Sequence, residues 1–127
     1  MSLFKNIFKS TSEEDKAPQS NINWIPLTTL EQLTAIKTLS NKETVLVFKH
    51  STRCGISRMV IKQFEKKFAA SGKKTPLYYL DLLNYRALSD EVGFTFQILH
   101  QSPQLLVVQN GVVVKHASHY DILDLEY

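Results

Sequence analysis

One cysteine, Cys54, is all the thiol that 127 residues carry. A single sulfur cannot close an internal disulfide, so a small secreted domain stapled by bridges is excluded and a reducing compartment, the cytoplasm, is expected. No apolar run approaches the ~20 residues that span a bilayer. The opening residues lack the longer apolar core and small-residue cleavage site of a secretory signal. Position 2 is Ser2 rather than glycine, so N-myristoylation is not expected. Charge of one sign is also scarce: 15 Lys+Arg against 12 Asp+Glu leave a net charge of +3. The basic residues are scattered and form no stripe with interleaved aromatics, so no nucleic-acid partner is expected. There is no internal repeat. What remains, with 43% hydrophobic residues, is material for a single compact domain.

Leu3, Phe4, Ile7 and Phe8 stand at helical spacing, but the following residues 10–21 are polar, contain Pro18 and show no period. Residues 1–22 are therefore expected to form a flexible N-terminal tail and residues 23–127 the domain. Within it, Thr28 and Glu31 form a capping-box pattern ahead of Leu30, Leu33, Ile36 and Leu39, which predicts a first helix. Residues 44–48 are a continuous β-branched and aromatic run, as in a buried strand. Ile56, Val60, Phe64 and Phe68 recur every four residues and predict an amphipathic helix ending near Gly72. Residues 76–82 read as a strand and 86–91 as a short helix. Two apolar runs, 104–108 and 112–114, flank Asn110-Gly111, the strongest short-range hairpin signal because both turn positions need positive φ. Ser118, with Asp121 three residues on, opens a short last helix, and Trp24-Ile25-Pro26 supplies a candidate edge strand. Alternating strands and helices followed by a hairpin imply an α/β fold, with a mixed four- to five-stranded sheet and helices on both faces.

Cys54 falls a few residues after a predicted buried strand and directly before an amphipathic helix. That position puts its sulfur where the unpaired N–H groups of a first helical turn converge. The helix dipole favours negative charge there, and Arg53 adds a neighbouring cation. Both favour thiolate over thiol, and the thiolate is the nucleophile in disulfide exchange. A lone cysteine is more often a small buried hydrophobe, but its neighbours, from His50 to Gly55, are polar and turn-like.

Ser57 takes the position, three residues after Cys54, that a resolving cysteine occupies in dithiol oxidoreductases. A hydroxyl there can donate to the thiolate but cannot resolve a mixed disulfide. Pro103, after Gln101 and Ser102, fits the cis-proline loop that faces the cysteine in thioredoxin-like folds. The backbone at Ser102 would then pair with an incoming substrate as an added strand. The alternative for Pro103 is a trans proline at the start of an edge strand. Of the four histidines, His116 and His119 have no carboxylate or cysteine at metal-ligand spacing, so no metal is expected. His50 and His119 are assigned to the cysteine end of the sheet, as anion-binding or as plain surface residues. The turn at Ser118 is read as a helix cap whose N-terminus can also receive a substrate carboxylate.

At these residues the chain resembles the YtxJ-type monothiol bacilliredoxins, thioredoxin-fold proteins of bacteria that make bacillithiol. The resemblance runs from Trp24 to Tyr127. It rests on the stretch from Phe48 to Ser57, on Asp81 with Arg86 and Ser89, on His100-Gln-Ser-Pro-Gln104, and on Asn110-Gly111 leading to His116 and Tyr120. The family's usual Thr-Cys-Pro-Ile-Ser is here Arg53-Cys-Gly-Ile-Ser57, so Gly55 stands where proline would pre-set the first turn. The resemblance implies that Cys54 removes bacillithiol from mixed disulfides on client proteins, with Arg53, Gly55 and Ser57 tuning the thiol. Lys49, His50, Ser102, Pro103, Ser118 and His119 become candidates for contacting substrate. Bacillithiol is then a co-substrate, and no cofactor is required. Two other readings stand beside it. One is a redox-inactive interaction module on the same fold. The other is a cluster-binding glutaredoxin of the Cys-Gly-Phe-Ser type, which Gln101-Ser102 before the proline and the lack of a later Gly-Gly pair disfavour.

Overall fold

Residues 22–127 are described by the computed structural model, so the expected tail lies outside the described residues except for Ile22, which is buried in the core. Nine elements follow in chain order. They are β1 (Trp24–Pro26), α1 (Glu31–Leu39), β2 (Val45–His50), α2 (Gly55–Ser71), β3 (Leu77–Asp81), α3 (Arg86–Phe96), β4 (Gln104–Gln109), β5 (Val112–Ser118) and a 3-10 turn (His119–Asp124). The sheet order is β1-β3-β2-β4-β5, in which β1, β3 and β2 pair parallel and β4 pairs antiparallel with both β2 and β5. The candidate edge strand is thus real and pairs with β3 through Trp24↔Leu77.

Strand alternation divides the core into two layers. Val45, Val47, Leu80, Leu106 and Val108 face α1 and α3, meeting Leu33, Ile36, Leu88, Val92 and Phe96. Leu46, Phe48, Leu77, Leu105 and Val107 face α2 and the 3-10 turn, meeting Val60, Phe64, Phe68 and Ile122. Trp24 joins this second layer through edge contacts with Phe48 and Tyr79, and its Nε1–H donates to Glu65 Oε2 at 2.7 Å. Burial raises the Glu65 carboxyl above its ordinary value, and that hydrogen bond together with Lys62 opposes the shift.

Local details depart from the sequence pattern in instructive ways. The capping box of Thr28 and Glu31 does not form: Leu30 is the N-cap, and no side chain of its own caps the helix. Gln32 instead braces the segment ahead of the N-cap, its Oε1 accepting from the N–H groups of Thr28 at 2.7 Å and Thr29 at 3.0 Å while its Nε2 donates to Pro26 O. On α2 the buried face is Ser57, Val60, Ile61, Phe64, Glu65 and Phe68, and Ile56 is 40% exposed. The helix ends at Gly72 with φ of 72°, in the left-handed region that favours glycine. A Cβ at Gly72 would meet nothing within 4 Å, so Gly72→Ala should cost only the backbone strain. A loss of about 1 kcal/mol in urea unfolding is expected. Helix α3 runs to Phe96, beyond the expected residue 91, because Val92 and Phe96 extend its buried face. The hairpin turn takes φ of 53° at Asn110 and 79° at Gly111, as its sequence requires.

Candidate functional site

The site is built where β2 runs out into α2. Strand β2 is buried along its whole length and carries two polar residues at its end, Lys49 and His50. Alternation sends them to opposite faces, Lys49 toward α3 and His50 toward α2. The chain then folds back tightly, with the Cys54 N–H donating to Ser51 O at 3.2 Å. Cys54 is the N-cap of α2, with extended φ and ψ of −98° and 121°, and its carbonyl accepts the first helical bond from Arg58 N–H at 3.0 Å. Its side chain caps no N–H group and is half-buried. The sulfur therefore sits at the positive end of a 17-residue helix without being spent on a structural bond. Arg53 and Gly55 flank it and are exposed, and a Cβ at Gly55 would meet nothing within 4 Å.

Ser57 is fully buried beneath this turn. Its Oγ accepts from the Ser51 N–H at 3.1 Å and lies 2.7 Å from His50 Nδ1. His50 is 5% exposed, so its imidazole stands behind the cysteine turn and does not reach solvent as an anion-binding group would. Burial lowers its pKa from the ordinary value, favouring the neutral imidazole; Asp81 opposes this shift and Arg58 adds to it. Asp81 is the residue opposite His50 across the β2–β3 ladder. One of its oxygens, Oδ2, accepts from Asn84, and Oδ1 is buried with no hydrogen-bond partner among the described residues.

Lys49 is 1% exposed, which sets it apart from the surface cation that a carboxylate-binding role would need. Its ammonium donates to His100 Nδ1 at 2.8 Å. An ammonium has no lone pair to offer, so His100 accepts at Nδ1 and carries its own proton on Nε2. Burial brings the Lys49 pKa down from 10.5 to about 8, against the pull of Asp90. His100 is held below its ordinary value by burial and by Lys49, with Asp90 opposing and Arg86 adding to the shift.

The fourth wall is the segment ahead of β4. The Ser102–Pro103 peptide bond is cis, Pro103 is buried, and Pro103 O accepts the His119 N–H at 3.0 Å. This bond ties the end of β5 to the proline loop, so Ser118, His119, Ser102 and Pro103 are brought together. Ser102 Oγ and Gln104 Oε1 are buried without a hydrogen-bond partner among the described residues, and Gln104 Nε2 donates to Leu99 O at 3.0 Å. The helix expected after Ser118 is a six-residue 3-10 turn, Ser118 makes no side-chain cap, and it belongs to β5. It offers no helical N-terminus for a substrate carboxylate; His119, exposed and with φ of 56°, is the outward-facing group there. Spacing alone assigns no role to Asp81 or His100; their signals lie in partners 31 and 51 residues away along the chain, Asp81 by strand register and His100 by hydrogen bond.

A thiol at the tip of the helix that follows the second strand, at the same end of a mixed sheet as a cis-proline loop, defines a thioredoxin-fold protein of the monothiol class. A sequence model of the family described as Monothiol bacilliredoxin BrxC matches residues 25–126. The chain belongs to that family, and its role is in thiol redox chemistry with thiol-bearing proteins as partners. Among solved structures, one described as having a thioredoxin fold and proposed as an oxidoreductase is 30% identical, with a TM-score of 0.69 over 80% of this chain and 88% of that one. Thioredoxin from Malassezia sympodialis is 21% identical, with a TM-score of 0.61 over 76% and 78% of the two chains. The thioredoxin pre-protein of Schistosoma mansoni is 15% identical, with a TM-score of 0.61 over 80% and 96%. These last two show the fold alone. No helix among the described residues is long and apolar enough to cross a membrane.

Proposed function

We propose that the protein removes bacillithiol from mixed disulfides on client proteins in the cytoplasm. The Cys54 thiolate attacks the bacillithiol sulfur, the client sulfur leaves as a thiolate, and a Cys54–bacillithiol disulfide remains. A second low-molecular-weight thiol then attacks that disulfide and restores Cys54. Each step exchanges one S–S bond for another, so atoms and electrons balance without a metal, nucleotide or resident cofactor. The observation that carries the reading is the half-buried sulfur at the N-cap of α2, unspent on any helix N–H, with a serine in place of a second thiol three residues on. Family membership supports the choice of bacillithiol over other small thiols. On the substrate side, exposed Arg53 and His119 are the groups for the small thiol's carboxylates, and the Ser102 backbone is the strand edge for the client. Ser118 lies beside them.

The test is the mass of Cys54 after exposure of the full chain to bacillithiol disulfide and, separately, to glutathione disulfide. A bacillithiol adduct on Cys54 that forms at least about tenfold faster than the glutathione adduct is expected, a preference of roughly 1.4 kcal/mol in the barrier. Equal rates, or faster glutathionylation, would remove the assignment of the small thiol.

A further inference from the structure

Lys49 is the only buried lysine or arginine among the described residues, and its ammonium is hydrogen-bonded to a histidine rather than to a carboxylate. A charge held away from water without an ion pair is costly. Its hydrogen bond runs outward, to Nδ1 of His100 at 2.8 Å, and His100 is exposed. The two nitrogens of an imidazole lie on opposite sides of the ring. With Nδ1 turned in to Lys49 and accepting, the ring proton sits on Nε2, and that N–H is turned toward solvent. A buried positive charge thus reaches the surface as a fixed N–H donor.

The surroundings say what that donor meets. Lys49 on β2 and Arg86 on α3 act on His100 as cations and Asp90 on α3 as the anion, so the local field is positive on balance. Burial and Lys49 lower the His100 pKa, Asp90 opposes and Arg86 adds to the shift, which favours the neutral ring that Lys49 pins. His100 lines a groove of about 470 Å³ together with Phe94 and Leu99, which are 77% and 86% exposed. It also precedes Ser102 by two residues, on the cis-proline loop. A client strand paired at Ser102 runs past His100, and strand residues two apart project to the same side.

Building on the proposed function, we propose that His100 selects clients carrying an acidic residue close to the mixed disulfide, its outward Nε2–H donating to that carboxylate. Lys49 is the positioning residue: it touches no client and acts through the ring, fixing the tautomer and supplying the charge. Phe94 and Leu99 offer apolar surface to the client's neighbouring side chains. The buried ammonium, unsuited to contact substrate itself, thereby takes part in recognition at one remove.

The experiment is the rate of small-thiol release, by the full chain at pH 7, from synthetic peptides that carry one bacillithiolated cysteine. Glutamate is placed two residues before or two residues after that cysteine, and glutamine at the same places gives the reference. One glutamate peptide should be released about fivefold faster than its glutamine counterpart, the size of a partly exposed charge-assisted hydrogen bond. The ratio should fall below about twofold in Lys49→Met, without loss of melting temperature, and to about one in Lys49→Met combined with His100→Leu. His100→Gln should keep most of the preference, because its Oε1 can accept from Lys49 while its Nε2–H faces out. In the native protein the ratio should fall as pH passes about 8, where Lys49 loses its proton. Equal release of glutamate and glutamine peptides would overturn the selection and leave the proposed exchange standing. So would variants that slow every peptide alike, which would assign the contact to the carboxylates of the small thiol. A ratio undiminished in Lys49→Met, or at pH 9.5, would remove Lys49 from the account. Release from no peptide at all would overturn the exchange and the client selection together.

Discussion

Cys54→Ser should reduce the exchange of mixed disulfides to the uncatalysed background while leaving the fold intact. An alcohol in place of the thiol cannot be ionised near neutral pH, and oxygen does not substitute for sulfur in attack on a disulfide. The stability cost should stay within about 0.5 kcal/mol, the range for positions away from buried packing or networks. Cys54 is half-buried, and its side chain makes no cap bond whose loss would unravel α2; the turn is held by backbone bonds to Ser51 and Arg58. Release of labelled small thiol from a mixed-disulfide protein, measured beside a thermal melt, separates the two effects. Undiminished release in this variant would return the chain to the reading of a redox-inactive interaction module.

The second large effect is on stability. Lys49→Met should stabilise the protein by roughly 2 to 4 kcal/mol at pH 7, because it replaces a buried ammonium by an apolar side chain of similar length. Lys49 is 1% exposed and has His100 as its hydrogen-bond partner, with only the field of Asp90 to offset burial. The sign follows from linkage. In the native state the group loses its proton at about 8, against an ordinary value of 10.5. Between those values the unfolded chain holds a proton that the folded chain has shed, so native stability rises with pH across that window. Below pH 8 both states are protonated and the cost of burying the charge is present in full. The advantage of Lys49→Met should therefore be constant below pH 8 and should fade by pH 10.5. Burial raises Tyr79 and Tyr127 above their ordinary values, which lowers stability above pH 10 in both proteins and cancels in the difference. Chemical denaturation at pH 7 and pH 9.5 measures it. A gap as wide at pH 9.5 as at pH 7 would refute the account.

Much of this architecture is legible in the chain before any coordinate is known, and the failures have physical causes. Asn110-Gly111 announces its turn because few residue pairs accept two positive φ values in succession. The helix carrying Phe64 and Phe68 is legible from its four-residue period, and the position of Cys54 at its tip follows from the strand before it. Helix α1 is legible, but its entry is not: Thr28 with Glu31 matches the capping-box pattern, while Gln32, which accepts from the N–H groups of Thr28 and Thr29 ahead of the helix, matches none. The end of β2 was harder. A strand that is buried on both faces continues for two polar residues beyond Phe48, and polar residues at a strand end read as loop. Lys49 and His50 thus look like surface groups in one dimension. Their burial depends on His100 and Ser57, which tertiary folding brings to them. The cis bond before Pro103 has no local signature that separates it from a trans one.

Ser57 is sealed under the turn, 0% exposed and bonded on two sides. Nothing inside the protein can therefore clear whatever becomes attached to Cys54; only a molecule arriving from solution can. The lifetime of the loaded state is then an external quantity, inversely proportional to the concentration of free small thiol around it. Under the proposed exchange, the protein would cycle in a thiol-rich medium and stay loaded in a depleted one, so the loaded fraction would register the supply of reductant.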